Sequence, residues 1–230
     1  MNKNDNTHAN IGTNSQEYTI DKELTVILHE NDLPESAITG NVVAIDTETL
    51  GLEISHRDRL CLVQLYFPQE GANKIVHCVK MPLAPNKPPV LSRLLSDNAI
   101  QKIFHFGRFD IRILSKTFQV KVNNVYCTKI ASRFARTNTE SHSLKTLCST
   151  LLGIYLSKEE SGSYWGAEIL DKKQLAYAAR DVLYLHEIKE KLDLILEREG
   201  RLERALEFIR FLPTLVAGEL DGWNETVFTF

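Results

Sequence analysis

The stretch Val42-Val43-Ala44-Ile45-Asp46-Thr47-Glu48-Thr49 constrains this chain more than any other. Four apolar residues, three of them β-branched, read as a buried strand. The strand then delivers two carboxylates one residue apart. In an extended chain, residues i and i+2 point to the same face, so Asp46 and Glu48 are expected side by side. Two acids on one face at the end of a buried strand repel each other unless a positive charge lies between them. A divalent cation meets that need, because Mg²⁺ and Mn²⁺ take hard oxygen ligands and one or two carboxylates.

With 230 residues, 43% hydrophobic and 25% charged, the chain suits one domain with a full core and a short appendage. A formal net charge of −3 argues against a long, sequence-independent duplex-binding surface, which needs a basic excess. A short nucleic-acid substrate stays open, since a cation site brings its own positive charge. Cys61, Cys78, Cys127 and Cys148 are far apart and form no CxxC, which argues against a zinc knuckle or a disulfide framework. The N-terminus has no apolar signal core and no run reaches membrane-spanning length. A cytoplasmic protein with reduced thiols is expected.

Along the chain, residues 1–17 are rich in Asn, Thr and Ser and read as a disordered leader. Short edge strands are expected within 18–29. The Asp46 strand, Leu60–Phe67 and Ile75–Val79 are spaced as an antiparallel meander. A helix is expected at 90–95, a strand at 100–104, and helices at 107–118, 127–136, 143–152, 172–199 and 202–215. Strands followed by helices predict an α/β fold, a mixed sheet flanked by helices. One domain is expected over 18–200, followed by a C-terminal helix and tail over 201–230.

Further acids fall at usable places. Asp110 lies in the first turns of the helix after Phe104, where the helix dipole favours acids and where an ordinary helix-start acid would also sit. Tyr177 and Asp181 are i and i+4, so they share a face. They border the apolar stripe Leu175, Ala178, Val182, Leu185, Leu192 and Ile195.

Asp46-Thr47-Glu48, His105-x-x-x-Phe109-Asp110 and Tyr177-x-x-x-Asp181 together resemble the three motifs of the DEDD 3′→5′ exonucleases, in the right order. The tyrosine marks the DEDDy branch, and the sister branch's histidine would fall at Ala176. Within the branch the chain resembles the ribonuclease D-like family, most of all its short NanoRNase C diribonucleotidases. His56–Cys61, Ile103–Asp110 and Asp181–His186 carry that likeness, and the HRDC modules of ribonuclease D have no room here. The resemblance implies a ribonuclease H-like (DnaQ-like) fold and two divalent cations, Mg²⁺ or Mn²⁺. Asp46 would bridge both ions, Glu48 and Asp181 would hold the one serving the attacking water, and Asp110 would help hold the other. Tyr177 would orient that water. The implied substrate is very short RNA, down to dinucleotides, degraded to nucleoside monophosphates, and the implied assembly is a homo-oligomeric ring. Processing of longer RNA ends in the manner of ribonuclease D, and a catalytically silent binding module, are the alternatives. The full set of acids speaks against the silent one.

Five residues are candidate substrate contacts. Thr47 lies between the first two acids. Leu52 matches a leucine wedge of related short-RNA exonucleases, or is a turn residue over the core. His105 is either a nucleotide contact or a buried strand-end histidine. Arg133 shares a helical face with Lys129 and Arg136, a far-phosphate site or a solvated basic face. Trp165 either stacks on a base or packs.

Overall fold

The computed structural model describes residues 15–51, 59–69, 71, 73–83, 87–156, 163–223 and 227. Chain order is β1 (Ser15–Thr19), β2 (Leu24–Glu30), β3 (Val42–Leu50), β4 (Arg59–Tyr66), β5 (Lys74–Lys80), α1 (Pro89–Ser96), β6 (Gln101–Phe104), α2 (Arg108–Phe118), β7 (Val125–Cys127), α3 (Thr128–Ala135), α4 (Leu144–Leu147), α5 (Lys172–Leu183), α6 (Leu185–Arg198) and α7 (Leu202–Leu220). One seven-stranded mixed sheet runs β1-β2-β5-β4-β3-β6-β7. The expected meander is present: β3 pairs antiparallel with β4, and β4 with β5. β2 joins β5 in parallel, and β6 joins β3 and β7 in parallel.

The alternation inferred for the first motif holds. Asp46 lies opposite Gln64 of β4, and Gln64 opposite Cys78 of β5, so these side chains share one sheet face. The β3–β4 register shifts between Glu48 and Thr49. The extra residue is Cys61 of β4, which faces β3 just past the second acid, and irregularities of this kind often lie next to sites. α5 lies against β3, β4 and β5. Its start is set locally: Asp171 accepts from the backbone N–H of Lys173 and Gln174, each at 2.8 Å. Gln174 returns a bond to the Asp171 N–H, completing a capping box.

Where the sequence expectations miss, tertiary packing is the reason. Ser15, Gln16 and Glu17, assigned to the leader, pair with β2 as part of β1, while residues 1–14 lie outside the described residues. The helix expected over 172–199 is two helices, parted at Tyr184. No proline or glycine marks the break. The first half packs on the sheet and the second on α3, so one straight helix could not follow both surfaces. The core stripe shifts register there: Ile188 and Leu196 are buried and Ile195 only partly so. β7, three residues long, falls at the start of the helix expected from 127, too short to show a period. After α4, Cys148–Leu152 widens into a π-helical turn.

Candidate active site

Asp46 and Glu48 from β3 meet Asp181 from α5. One ligand oxygen of each lies within 4.8 Å of the other two. Asp110, in the first turn of α2 and 4% exposed, is near enough for its charge to act on Asp46 and Glu48. Its placement has two causes, one local and one from a distant segment. The chain turns from β6 into α2 through Phe106, at φ +64°, and through Gly107, where a Cβ would come 2.8 Å from Phe104 Cβ. The Thr47 hydroxyl then donates to Asp110 Oδ1 at 2.6 Å.

The electrostatics are those of crowded, buried like charges. Burial first, then Asp110, Asp181 and Glu48, hold the Asp46 carboxyl well above the usual carboxylate range. Burial, with Asp181 and Asp110, pushes Glu48 up to about 9, against an opposing hydrogen bond from the Gln64 amide. Burial raises Asp110 to about 7 against the Thr47 bond, and raises Asp181 to about 7 against a bond from the Tyr177 hydroxyl. Burial and the carboxylates also push the Tyr177 phenol upward. Among the described residues, the side-chain donors to the acids, Thr47, Gln64 and Tyr177, are all neutral. An oxygen-rich, proton-hungry cluster held by neutral donors fits a hard divalent cation.

The candidate substrate contacts are distributed differently from the acids. Thr47, 7% exposed, spends its hydroxyl on Asp110 and so holds an acid instead of facing a ligand. Strand alternation explains this, since Thr47 points away from its two acidic neighbours. His105 Nδ1 lies 2.9 Å from the Thr128 hydroxyl, which donates to the Phe104 carbonyl. His105 is half-buried, and burial and the charge of Lys129 lower it to about 4, which favours the neutral ring. Trp165 is 5% exposed and packs beside Tyr177. Arg133 is exposed on α3 and lines a cavity of about 310 Å³ with Phe106, Lys129 and Leu215, with the Lys129 ammonium 3.8 Å from the Phe106 ring centre. Leu52 lies outside the described residues. The reading of motifs missed Gln64. Its signal was available: it is the one amide in the apolar run Leu60–Phe67, and a fully buried polar residue needs a partner.

Fold and site together define a nuclease of the carboxylate-cluster kind, with strand-borne and helix-borne acids converging beside a tyrosine. A family model described as 3′–5′ exonuclease matches residues 21–197, and the chain belongs to that family. Among curated proteins it is similar to ribonuclease D of Acidiphilium cryptum, 33% identical over 165 residues, or 72% of this chain and 40% of that protein. The chain thus spans about two fifths of such a relative. Among solved structures it is similar to Brucella melitensis NrnC, at 47% identity and TM-score 0.80, over 87% of this chain and 96% of that one. That protein has also been solved with bound Mg²⁺ and bound to pGG. Escherichia coli RNase D, described as an exoribonuclease involved in structured RNA processing, matches at 27% identity and TM-score 0.68, over 79% of this chain and 46% of that one. The ribonuclease H-like fold expected from the motifs is the fold observed.

Proposed function

We propose that this protein is a divalent-cation-dependent 3′→5′ exoribonuclease of very short RNA, with dinucleotides as its preferred substrate and nucleoside monophosphates as products. The observation that carries the reading is the convergence of Asp46, Glu48 and Asp181 within 4.8 Å. Asp110 beside them and the Tyr177 hydroxyl on Asp181 support it. The likeness to NrnC, solved with pGG, supports the short substrate, and its Mg²⁺ form supports the cation.

In this reading Asp46, Glu48 and Asp181 would hold a divalent cation, and Asp110 would help to hold a second. Bound there, the cations supply an acidified water and relieve charge on the leaving 3′ oxygen. Tyr177, kept protonated by burial and its acidic neighbours, orients the attacking water through its hydroxyl. Thr47 and Gln64 hold Asp110 and Glu48 by hydrogen bonds from neutral groups. The chain acts in the cytoplasm as a homo-oligomer. Among the described residues, no helix is long and apolar enough to cross a membrane.

The test is a length series of 5′-labelled RNAs, from two nucleotides to about twenty, with Mg²⁺ or Mn²⁺. Cleavage of the dinucleotide should exceed that of the longest RNA by at least about tenfold, which is about 1.4 kcal/mol of discrimination. Equal rates across the series would favour the second reading, ribonuclease D-like trimming of longer RNA, which the Acidiphilium relative supports. Asp46→Ala should abolish hydrolysis, and retained activity would reject the site itself.

A further inference from the structure

The segment entering α5 is fixed to the site at several points. Gln174 Nε2 donates to the Tyr164 carbonyl at 3.3 Å, while Gln174 Oε1 accepts from the Asp171 N–H at 3.0 Å. Lys80 Nζ donates to the Glu168 carbonyl. Gly166 comes so near β3 that a Cβ there would meet Leu50 Cδ1 at 2.8 Å and Tyr164 Cζ at 3.1 Å. Leu50 is two residues past Glu48, and Gln174 is three before Tyr177. The segment is thus pinned between the strand that carries two of the acids and the helix turn that carries the phenol.

Trp165 sits within this segment, almost wholly buried. Its ring centroid is 6.2 Å from that of Tyr177, with the planes tilted by 38°, inside the range of packed aromatic pairs. Tyr177 itself is half-buried and donates from its hydroxyl to Asp181. That hydrogen bond holds only the tip of the side chain. The ring also has two torsions, and a staggered alternative at χ1 would carry the hydroxyl several ångströms away. The body of the ring needs its own support, and the indole is placed to give it.

We propose that Trp165 is a positioning residue for Tyr177: its indole packs the phenol ring in the orientation that delivers the hydroxyl to Asp181. The inference rests on the reading of Tyr177 given above. It requires that the effect of Trp165 on turnover pass through the Tyr177 hydroxyl.

A double-mutant cycle in the full chain tests this, with Trp165→Leu, Tyr177→Phe and both together, assayed on a dinucleotide with Mg²⁺. Trp165→Leu should lower kcat roughly tenfold, the scale of a small misplacement of a site group. KM, and affinity for a phosphorothioate dinucleotide, should stay within about twofold. In the Tyr177→Phe background the same change should alter kcat by less than about twofold, a strong coupling between the sites. Trp165→Phe keeps a ring and should recover most of the turnover. If the leucine variant does not fold, Trp165→Met, which fills similar space without a ring, takes its place in the cycle. An equal fold-loss in both backgrounds would overturn the inference and leave Trp165 as general core. A rise in KM with unchanged kcat would overturn it in favour of a substrate contact. Wild-type turnover in Tyr177→Phe alone would remove Tyr177 from the mechanism and the inference with it, an outcome distinct from the other two.

Discussion

Glu48 shows how the site balances opposing influences at single residues. Burial and two neighbouring carboxylates favour its protonated form, while the Gln64 amide, 3.5 Å from Glu48 Oε1, favours the ionised one. Gln64 is opposite Asp46 in the sheet and has no exposed surface; among the described residues its Nε2 reaches Glu48, while its Oε1 meets no donor. Gln64→Leu keeps the volume and removes the donor. We expect Mn²⁺ binding to weaken roughly tenfold, the usual cost of losing a hydrogen bond behind a ligand. Calorimetric titration of the metal-free protein would show it. Unchanged affinity would mean that Gln64 only packs. Thr47 teaches the complementary lesson at residue scale: lying next to the acids in sequence placed it behind an acid in space.

At the scale of elements, the site depends on where α5 begins. Asp171 and Gln174 satisfy the helix's first N–H groups and tie it to the preceding segment. Asp171→Ala should cost about 1 kcal/mol, as the loss of a side-chain cap does, and lower the melting temperature by about 2–4 °C in a domain of this size. If α5 alone responds, kcat on a dinucleotide should fall while the KM for it holds. A thermal shift with no change in kcat would show that Tyr177 and Asp181 keep their places without the cap. α1 is capped in a different way. Asp32, 57 residues before the helix starts, accepts from the N–H of Val90 and Leu91 at 2.9 Å each. The first cap lies within four adjacent residues, Asp171 to Gln174, whereas the second joins segments far apart in sequence.

For the whole molecule, clustered acids make stability depend on pH in a direction the pKa shifts dictate. In the fold, Asp110 and Asp181 titrate near 7 and Glu48 near 9, all above the values near 4 of an unfolded chain. The folded state therefore binds more protons between those limits, and stability falls as pH rises. In EDTA, the contribution from these acids is fully present below pH about 4 and is lost as pH rises through about 7 and then 9. Melting curves should shift downward accordingly, and Mg²⁺ should restore the melting temperature most at the alkaline end. A flat profile in EDTA would contradict the crowded cluster. α7 poses a second whole-molecule question. Ala205, Ile209, Leu212 and Val216 are buried, whereas Phe208, Phe211 and Trp223 are exposed, and Phe211, Leu215, Trp223 and Val227 line an apolar cavity of about 390 Å³. An apolar patch of this kind marks association surfaces. Light scattering should give a mass that is a multiple of 26.2 kDa, and Phe211→Glu should reduce it. A wild-type monomer would end the homo-oligomer reading.

The order of chemistry along the chain was legible from residues alone. A period of two placed Asp46 and Glu48 on one face, and a spacing of four placed Tyr177 and Asp181 on another, because strand and helix geometry are local. Local rules carry no information across an interface. That Gln64 reaches Glu48, that Thr47 holds Asp110, that the helix breaks at Tyr184, and that Trp165 turns inward against Tyr177 each follow from contacts between segments far apart in sequence. The acids were written in the chain, and their meeting within 4.8 Å was decided by the packing of α5 on the sheet, where burial of the helix's apolar face offsets the cost of crowding the carboxylates.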